Sequence, residues 1–319
     1  AGNAECRWSQ SPVMVEQCRK KAARLGITEY KNSEEISFNE TEMQLLDKLR
    51  ALPAEDFAVD FMAQEKERGV EFEAAPCIDG DFLPESIDEL RRKAKPKPII
   101  TGVTKEEGLM FMANMSGSQA EFDRSIKHSV PFGMDDKELI MKRLRLLYGS
   151  NVPTDEQEIA RRMANVYSDY MMNTGTLELC KKSVIYQDAP VFLYVFNHLN
   201  PQNLGVLKQF IPFTDATHCS ELTYLFRRSI FNMKFSFNEE DKQIEDIVTM
   251  AVTNFAKYGN PNGPDSNRTM LPSRWEPVRA PGYCNNYVID VNPSMSEQYF
   301  DGRPSKYLEI IKNANASKI

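Results

Sequence analysis

Apolar positions along the chain follow two periods, and together these predict an α/β protein. Three stretches carry the 3.6-residue period of an amphipathic helix, each with recognisable start and stop residues. The first opens at Ser11-Pro12, a capping hydroxyl before a first-turn proline, and runs through Val15, Cys18, Ala22 and Leu25 to Gly26. In the second, Thr154 and Gln157 read as a capping box ahead of a buried stripe of Ile159, Met163, Val166 and Tyr170. The third starts at Asn238, presents Ile244, Ile247, Val248, Ala251 and Phe255 on one face, and stops at Gly259-Asn260-Pro261.

Shorter runs are continuously apolar and rich in β-branched or aromatic residues. Pro98 to Val103 and Pro190 to Phe196 predict strands covered on both faces, and Tyr287 to Val291 predicts a third. Long helical stretches separate them. That alternation predicts an α/β layer architecture with a largely parallel sheet, because parallel strands need a crossover between them. The polar run from Gln64 to Glu73 and the segment from Lys93 to Pro98 are expected to be solvated connections.

Composition narrows the function classes. At 319 residues and 41% hydrophobic, the chain holds enough apolar material for one large domain or two ordinary ones. Its 46 acidic against 39 basic side chains leave a net charge of -7, and no basic stretch is long enough to form a footprint for phosphates. Nucleic acid is therefore not an expected partner. The longest apolar segment, Ala189 to Phe196, falls far short of the roughly 20 residues that cross a bilayer, so no transmembrane segment is expected. Cys6, Cys18, Cys77, Cys180, Cys219 and Cys284 lack the paired short spacings of a zinc site, and neither a metal nor another cofactor is expected. Sequons at Asn39, Asn114, Asn267 and Asn315 fit a secreted or secretory-pathway glycoprotein, with the cytoplasm as the alternative. With neither an initiator Met nor a charged-then-apolar leader, the chain is expected to be a processed product or a fragment of a longer one.

Candidate chemistry centres on one of three histidines. His128 sits in the polar stretch Arg124 to Ser129 and is expected at the surface, and His198 closes the second strand, where a structural role is expected. His218 differs, because it lies in a loop of small and polar residues ahead of an aromatic segment, where a side chain can be aimed into a cleft. Catalytic and structural readings stand level there. Glu107 falls just past the carboxyl end of the first strand, the edge at which open α/β sheets place their sites. The alternative for it is a solvated Lys105-Glu106-Glu107 cluster.

Two motifs settle the choice by resemblance. Gly102-Val103-Thr104-Lys105-Glu106-Glu107-Gly108 is similar to the acid-bearing motif of the type-B carboxylesterase and cholinesterase family, and Asp215-Ala216-Thr217-His218-Cys219-Ser220-Glu221-Leu222 to its histidine motif. Further matches run along nearly the whole chain. They are Ala1 to Trp8, Leu25-Gly26-Ile27, the Asp79-Gly80-Asp81-Phe82-Leu83-Pro84 turn, Val191 to His198, and Asn254 to Asn262. The resemblance implies an α/β-hydrolase fold, with residues 1–319 as a single partial domain, the C-terminal part of its sheet, lacking the N-terminal half. It implies a serine esterase acting on a small-molecule carboxylic ester, with Glu107 as triad acid and His218 as base. Glu221 is then expected to be a buried hydrogen-bonding support for the His218 loop, while Trp8, Met110, Phe111, Met112 and Phe132 are candidate pocket walls or core residues.

Departures from the family pattern are as informative. No glycine here has a serine two places on, so the nucleophile elbow and the oxyanion-hole segment are expected upstream of residue 1, and this chain alone is expected to be inactive. Asp215 replaces a glycine that the family often carries, and Lys48 stands where many relatives have a cysteine, so one familiar disulfide is expected to be absent. A noncatalytic cholinesterase-like adhesion or binding domain is the alternative function.

Overall fold

Three parallel strands carry the architecture: Ile99–Thr104 (β1), Val191–Phe196 (β2) and Asn286–Ile289 (β3), in that order across the sheet. A fourth, Ser294–Ser296 (β4), returns antiparallel to β3. Ile99 is in register with Val191 and Thr104 with Phe196, while Phe196 also pairs with Ile289. The computed structural model describes residues 2–9, 22–23, 25, 40–57, 75–131, 134–149, 154–229, 236–265, 267–279 and 284–316. The helix expected from Ser11 to Gly26 lies almost wholly outside these residues, as does Phe132.

β3 ends two residues sooner than its apolar run. Asp290 explains this, since its carboxylate accepts the side-chain amide of Asn197 at 2.6 Å and the backbone N–H of Val291 at 2.7 Å, turning the chain out of the ladder.

The described helices are Glu40–Arg50 (α1), Ile87–Lys93 (α2), Gln119–His128 (α3), Lys137–Leu147 (α4), Glu156–Ser168 (α5), Thr174–Tyr186 (α6), Leu222–Phe226 (α7), Glu239–Tyr258 (α8) and Arg303–Ala316 (α9). Backbone contacts divide the chain into two compact units, one of Trp8–Pro84 and one of Ala1–Arg7 with Glu85–Ile319. The smaller holds α1 and an Asx turn in which Asp79 Oδ1 accepts the N–H groups of Asp81 and Leu83, each at 3.0 Å, with Phe82 exposed at its tip.

In the larger unit, α8 follows the expected pattern closely. Asn238 caps it in a reciprocal box with Asp241, Gly259 closes it in the left-handed conformation, and Ile244, Ile247, Val248 and Ala251 are buried. These side chains meet Phe192 and Phe196 of β2, Tyr287 and Ile289 of β3, and Trp275 in one core cluster. Trp275 stacks on Tyr287 at 5.0 Å between ring centroids and donates its indole N–H to the Leu193 carbonyl at 3.1 Å. A buried aromatic pair of this kind adds about 1 kcal/mol beyond its area.

α5 starts one residue later than the Thr154-Gln157 pattern suggests, because Asp155 is the cap and its carboxylate accepts the Glu158 N–H at 2.8 Å. Of the expected stripe, Met163, Val166 and Tyr170 are buried and Ile159 is half-buried. The helix does not stop but widens into a π turn over Asp169–Asn173 and continues as α6. Asp169 lies fully buried in that turn. It accepts hydrogen bonds from Tyr148 (3.0 Å), Asn173 (2.8 Å) and both Nε and Nη2 of Arg303 (2.7 and 3.1 Å), anchoring the start of α9.

Candidate active site

β1 delivers Glu107 and the loop after β2 delivers His218, and the backbone itself brings the two segments together. Lys105 N–H still bonds to the Phe196 carbonyl at 2.9 Å, extending the β1–β2 ladder, but the next donor changes partner: Glu106 N–H bonds to Ala216 O at 2.8 Å. Glu106 and Thr217 form a parallel bridge. Paired residues at equal register point the same way, so the next residue on each side, Glu107 and His218, project side by side.

The side chains then meet. Glu107 Oε2 lies 2.6 Å from His218 Nδ1, and Oε1 accepts the Thr104 backbone N–H at 2.7 Å. Glu107 is fully buried, whereas about a quarter of the imidazole, 23%, is exposed. The carboxylate holds the proton on Nδ1, so in the neutral ring it is Nε2 that carries the lone pair. Burial pulls the imidazole pKa down, but the hydrogen bonds the ring makes to the Cys219 and Glu107 side chains, with the Glu107 charge, outweigh it and raise it to about 10.

The frame around Glu107 is tight. Gly108 N–H donates to Ser168 Oγ at 2.8 Å, and a Cβ on Gly108 would stand 2.5 Å from the Ala164 carbonyl oxygen and the Ser168 nitrogen. Only glycine allows that approach. Phe111, half-buried, places its ring 6.0 Å from that of His218, and Met110 is half-buried beside it in sequence. Met112 is a core residue with no exposure, whereas Phe111 packs its ring near the imidazole.

Three other carboxylates crowd this edge. Asp215 pairs with Lys105 at 2.9 Å. Glu106 is buried, and burial together with the Asp215 charge pushes its pKa up to about 7. Glu221 is likewise pushed up to about 7, by burial and by the charge of Glu107. The expected loop support from Glu221 is not made through its Oε2, which has no hydrogen-bond partner among the described residues. Asn203, which sequence reasoning missed, does support the loop: its Nδ2 donates to Ser220 O at 3.2 Å and its Oδ1 accepts from the Thr223 hydroxyl at 2.7 Å.

The remaining histidines lie elsewhere. His198 Nε2 is 3.0 Å from the buried Asp241 carboxylate, which also takes Asn200 Nδ2, the Tyr224 hydroxyl and the Asn238 N–H, so the histidine ties the end of β2 to α8 as expected. His128 is less exposed than its polar sequence setting suggests. It is half-buried at the end of α3, and burial, with the charges of Arg124 and Lys127, lowers its pKa.

An open, largely parallel sheet with helices around it, bearing an acid and an imidazole past the carboxyl ends of its strands, defines an α/β-hydrolase. The chain belongs to the carboxylesterase family, whose pattern matches residues 1–305. It is similar to Esterase cest-33 of Caenorhabditis elegans, with 34% identity over 74% of this chain and 42% of that protein. Neuroligin-2 of Homo sapiens is 24% identical over 98% of this chain and 38% of its own length, and Gut esterase 1 of Caenorhabditis briggsae 27% over 66% and 40%. The chain thus spans about two fifths of the length of these relatives.

Proposed function

We propose that this chain is the C-terminal part of a single carboxylesterase-type domain, and that the whole protein hydrolyses small carboxylic esters through a serine lying upstream of residue 1. His218 takes the proton of that serine and later returns it to the leaving alcohol, while Glu107 fixes the ring and stabilises its charged form. The observation that carries this reading is the 2.6 Å contact between the fully buried Glu107 carboxylate and His218 Nδ1. An isolated chain without the nucleophile has no covalent route and turns over no ester.

The test joins the chain to its upstream half and follows p-nitrophenyl ester hydrolysis and labelling by a fluorophosphonate. Turnover with labelling is expected, and a His218→Ala variant is expected to lose roughly a thousandfold or more in kcat. Wild-type rates in that variant would reject the assignment.

A secreted or secretory-pathway location accompanies this proposal. Asn114 and Asn267, the two sequon residues whose side chains are described, are both exposed. No helix among the described residues is long and apolar enough to cross a membrane.

A second reading, a binding domain without chemistry, has one observation in its favour: Neuroligin-2, which is not named as an esterase, matches 98% of the chain. A protein that binds partners without chemistry would show no fluorophosphonate labelling. The 34% identity to an esterase and the intact acid–imidazole contact favour the enzyme.

A further inference from the structure

The turn that carries His218 contains a residue in an unfavourable backbone conformation. Cys219, next to the imidazole, has φ of 67°, in the left-handed region that glycine enters freely and a residue with a Cβ does not. Such a conformation persists only where the surroundings over-determine it. Backbone hydrogen bonds from Ser220 N–H to Thr217 O (2.9 Å) and from Leu222 N–H to Cys219 O (3.2 Å) close the turn locally.

One side chain from another element holds it from outside. Asn203 belongs to the 3-10 stretch Pro201–Gln209, and its carboxamide bridges the Ser220 carbonyl and the Thr223 hydroxyl, on the C-terminal side of Cys219. Asn203, Ser220 and Thr223 are all completely buried. The 3-10 stretch is itself fixed, because Asn203 N–H bonds to Asn200 O at 2.9 Å and Asn200 Nδ2 to Asp241 Oδ2 at 2.6 Å. The chemistry of the bridge selects an amide: one group must donate to a carbonyl and accept from a hydroxyl at once, which neither a carboxylate nor an apolar side chain of that size can do.

We propose that Asn203 is a positioning residue for the imidazole: its carboxamide locks the turn with Cys219 left-handed and thereby aims His218 Nδ1 at Glu107. The effect on turnover rests on the esterase reading above, while the effect on ring placement does not. Without the bridge, Cys219 relaxes toward negative φ and the ring swings off its acceptor. A glycine at position 219 tolerates the left-handed conformation without the bridge.

The experiment compares Asn203→Ala, Cys219→Gly and the double variant in the full-length protein, with kcat counted per fluorophosphonate-titrated site. Asn203→Ala is expected to lower kcat roughly 10- to 100-fold, as for a small misplacement of a catalytic group, with KM changed less than about threefold. It is also expected to broaden or lose the low-field NMR signal of the His218 Nδ1 proton. Because Cys219→Gly also removes the thiol contact to the imidazole, the double variant is expected to return to the kcat and proton signal of Cys219→Gly alone, while the loss in Tm remains. A merely structural role would lower Tm and the number of active sites but leave kcat per site, the proton signal and the pH profile as in wild type, and that result overturns the proposal. So does an Asn203→Ala defect that Cys219→Gly fails to relieve. Should Asn203→Ala not fold, Asn203→Asp serves in its place, keeping the acceptor for Thr223 and removing the donor to Ser220. If wild-type protein hydrolyses no ester, or hydrolysis survives His218→Ala, the esterase reading fails, and the proton signal in the Asn203 variants still decides the present one.

Discussion

Lys105 Nζ stands 2.9 Å from Asp215 Oδ2, joining the residue two before Glu107 to the residue three before His218. The same two segments are tied by the Glu106 N–H bond to Ala216 O, so the ion pair reinforces a junction that the backbone already makes. Asp215 Oδ1 also accepts the Ala216 N–H at 2.8 Å, which fixes its side chain beside the junction. The lysine side chain is 42% exposed, so solvent screens the pair.

Lys105→Met is therefore expected to cost less than about 1 kcal/mol of stability, with the difference shrinking as salt rises, in denaturant titrations of the full-length protein. Asp215→Asn is expected to do more to the neighbouring carboxyl than to the fold. Removing its charge takes away one of the two causes that raise Glu106, whose titration should fall from about 7 toward the ordinary range. A Glu106 titration unmoved by Asp215→Asn would mean that burial alone sets it.

The Glu107 and His218 pair yields a prediction with a sign. His218 is raised to about 10, so its protonated form supports the fold fully below the unfolded imidazole value, near 6.5, and that support fades as pH climbs toward 10. Glu107→Gln removes the anion without changing the size of the side chain. The His218 titration followed by NMR is expected to drop toward 6.5, moving the acid limb of kcat/KM to lower pH. The plateau kcat should fall roughly a thousandfold to ten-thousandfold, because the amide no longer enforces the tautomer. An unshifted titration would show that Cys219, and not Glu107, holds the imidazole up.

Legibility in the sequence tracked locality. The α8 start, box and stop were readable because Asn238, Asp241 and Gly259 act within one turn of themselves, and β1 and β2 because every residue in each is apolar or small. The start of α5 slipped by one position because Thr154 and Asp155 are both competent caps, and only the fold decides which carboxylate or hydroxyl meets the Glu158 N–H. The site was half readable. Glu107 and His218 sit in motifs of contiguous residues, while the residues that frame them, Ser168 and Asn203, are ordinary polar side chains 60 and 20 residues from their partners Gly108 and Thr223. No period or spacing marks such a contact. His128 is half-buried although its neighbours in sequence are polar, because local polarity does not report what the fold lays over a helix end.

Gly108 offers a test of how rigidly the acid is mounted. Gly108→Ala adds a single methyl that would stand 2.5 Å from the backbone of α5 at Ala164 and Ser168, and backbone cannot yield as a flexible side chain does. The 3-10 turn Glu107–Met112 must then lift away from α5, breaking the Gly108 bond to Ser168 Oγ. Overpacking of this kind costs about 1–3 kcal/mol, and kcat should fall with it because Glu107 moves with the turn. Ser168→Ala removes only the acceptor and leaves a buried N–H unpaired, so it should cost about 1–2 kcal/mol with a smaller loss of kcat. Equal kcat losses from the two changes would mean that the hydrogen bond, and not the close approach, mounts Glu107.

Asp241 makes the acid stability of the protein predictable. Burial raises its pKa, yet hydrogen bonds from His198, Asn200, the Asn238 N–H and Tyr224 more than offset that and leave it below the ordinary value of 3.8. A carboxyl depressed in the folded state adds stability above its unfolded pKa and loses it as pH falls through the folded one. The wild-type protein is therefore expected to lose stability below about pH 4 partly through this group. Asp241→Asn cannot be protonated, and its amide nitrogen turns a donor toward groups that themselves donate. At pH 7 it should be less stable by roughly 3 kcal/mol, the cost of breaking a buried charge network. The gap should narrow as pH drops below 4, where wild type protonates Asp241 and the variant does not change. Chemical denaturation at pH 7, 5 and 3 reads both effects, and a gap that stays constant across that range would show that Asp241 carries no proton-linked share of the stability.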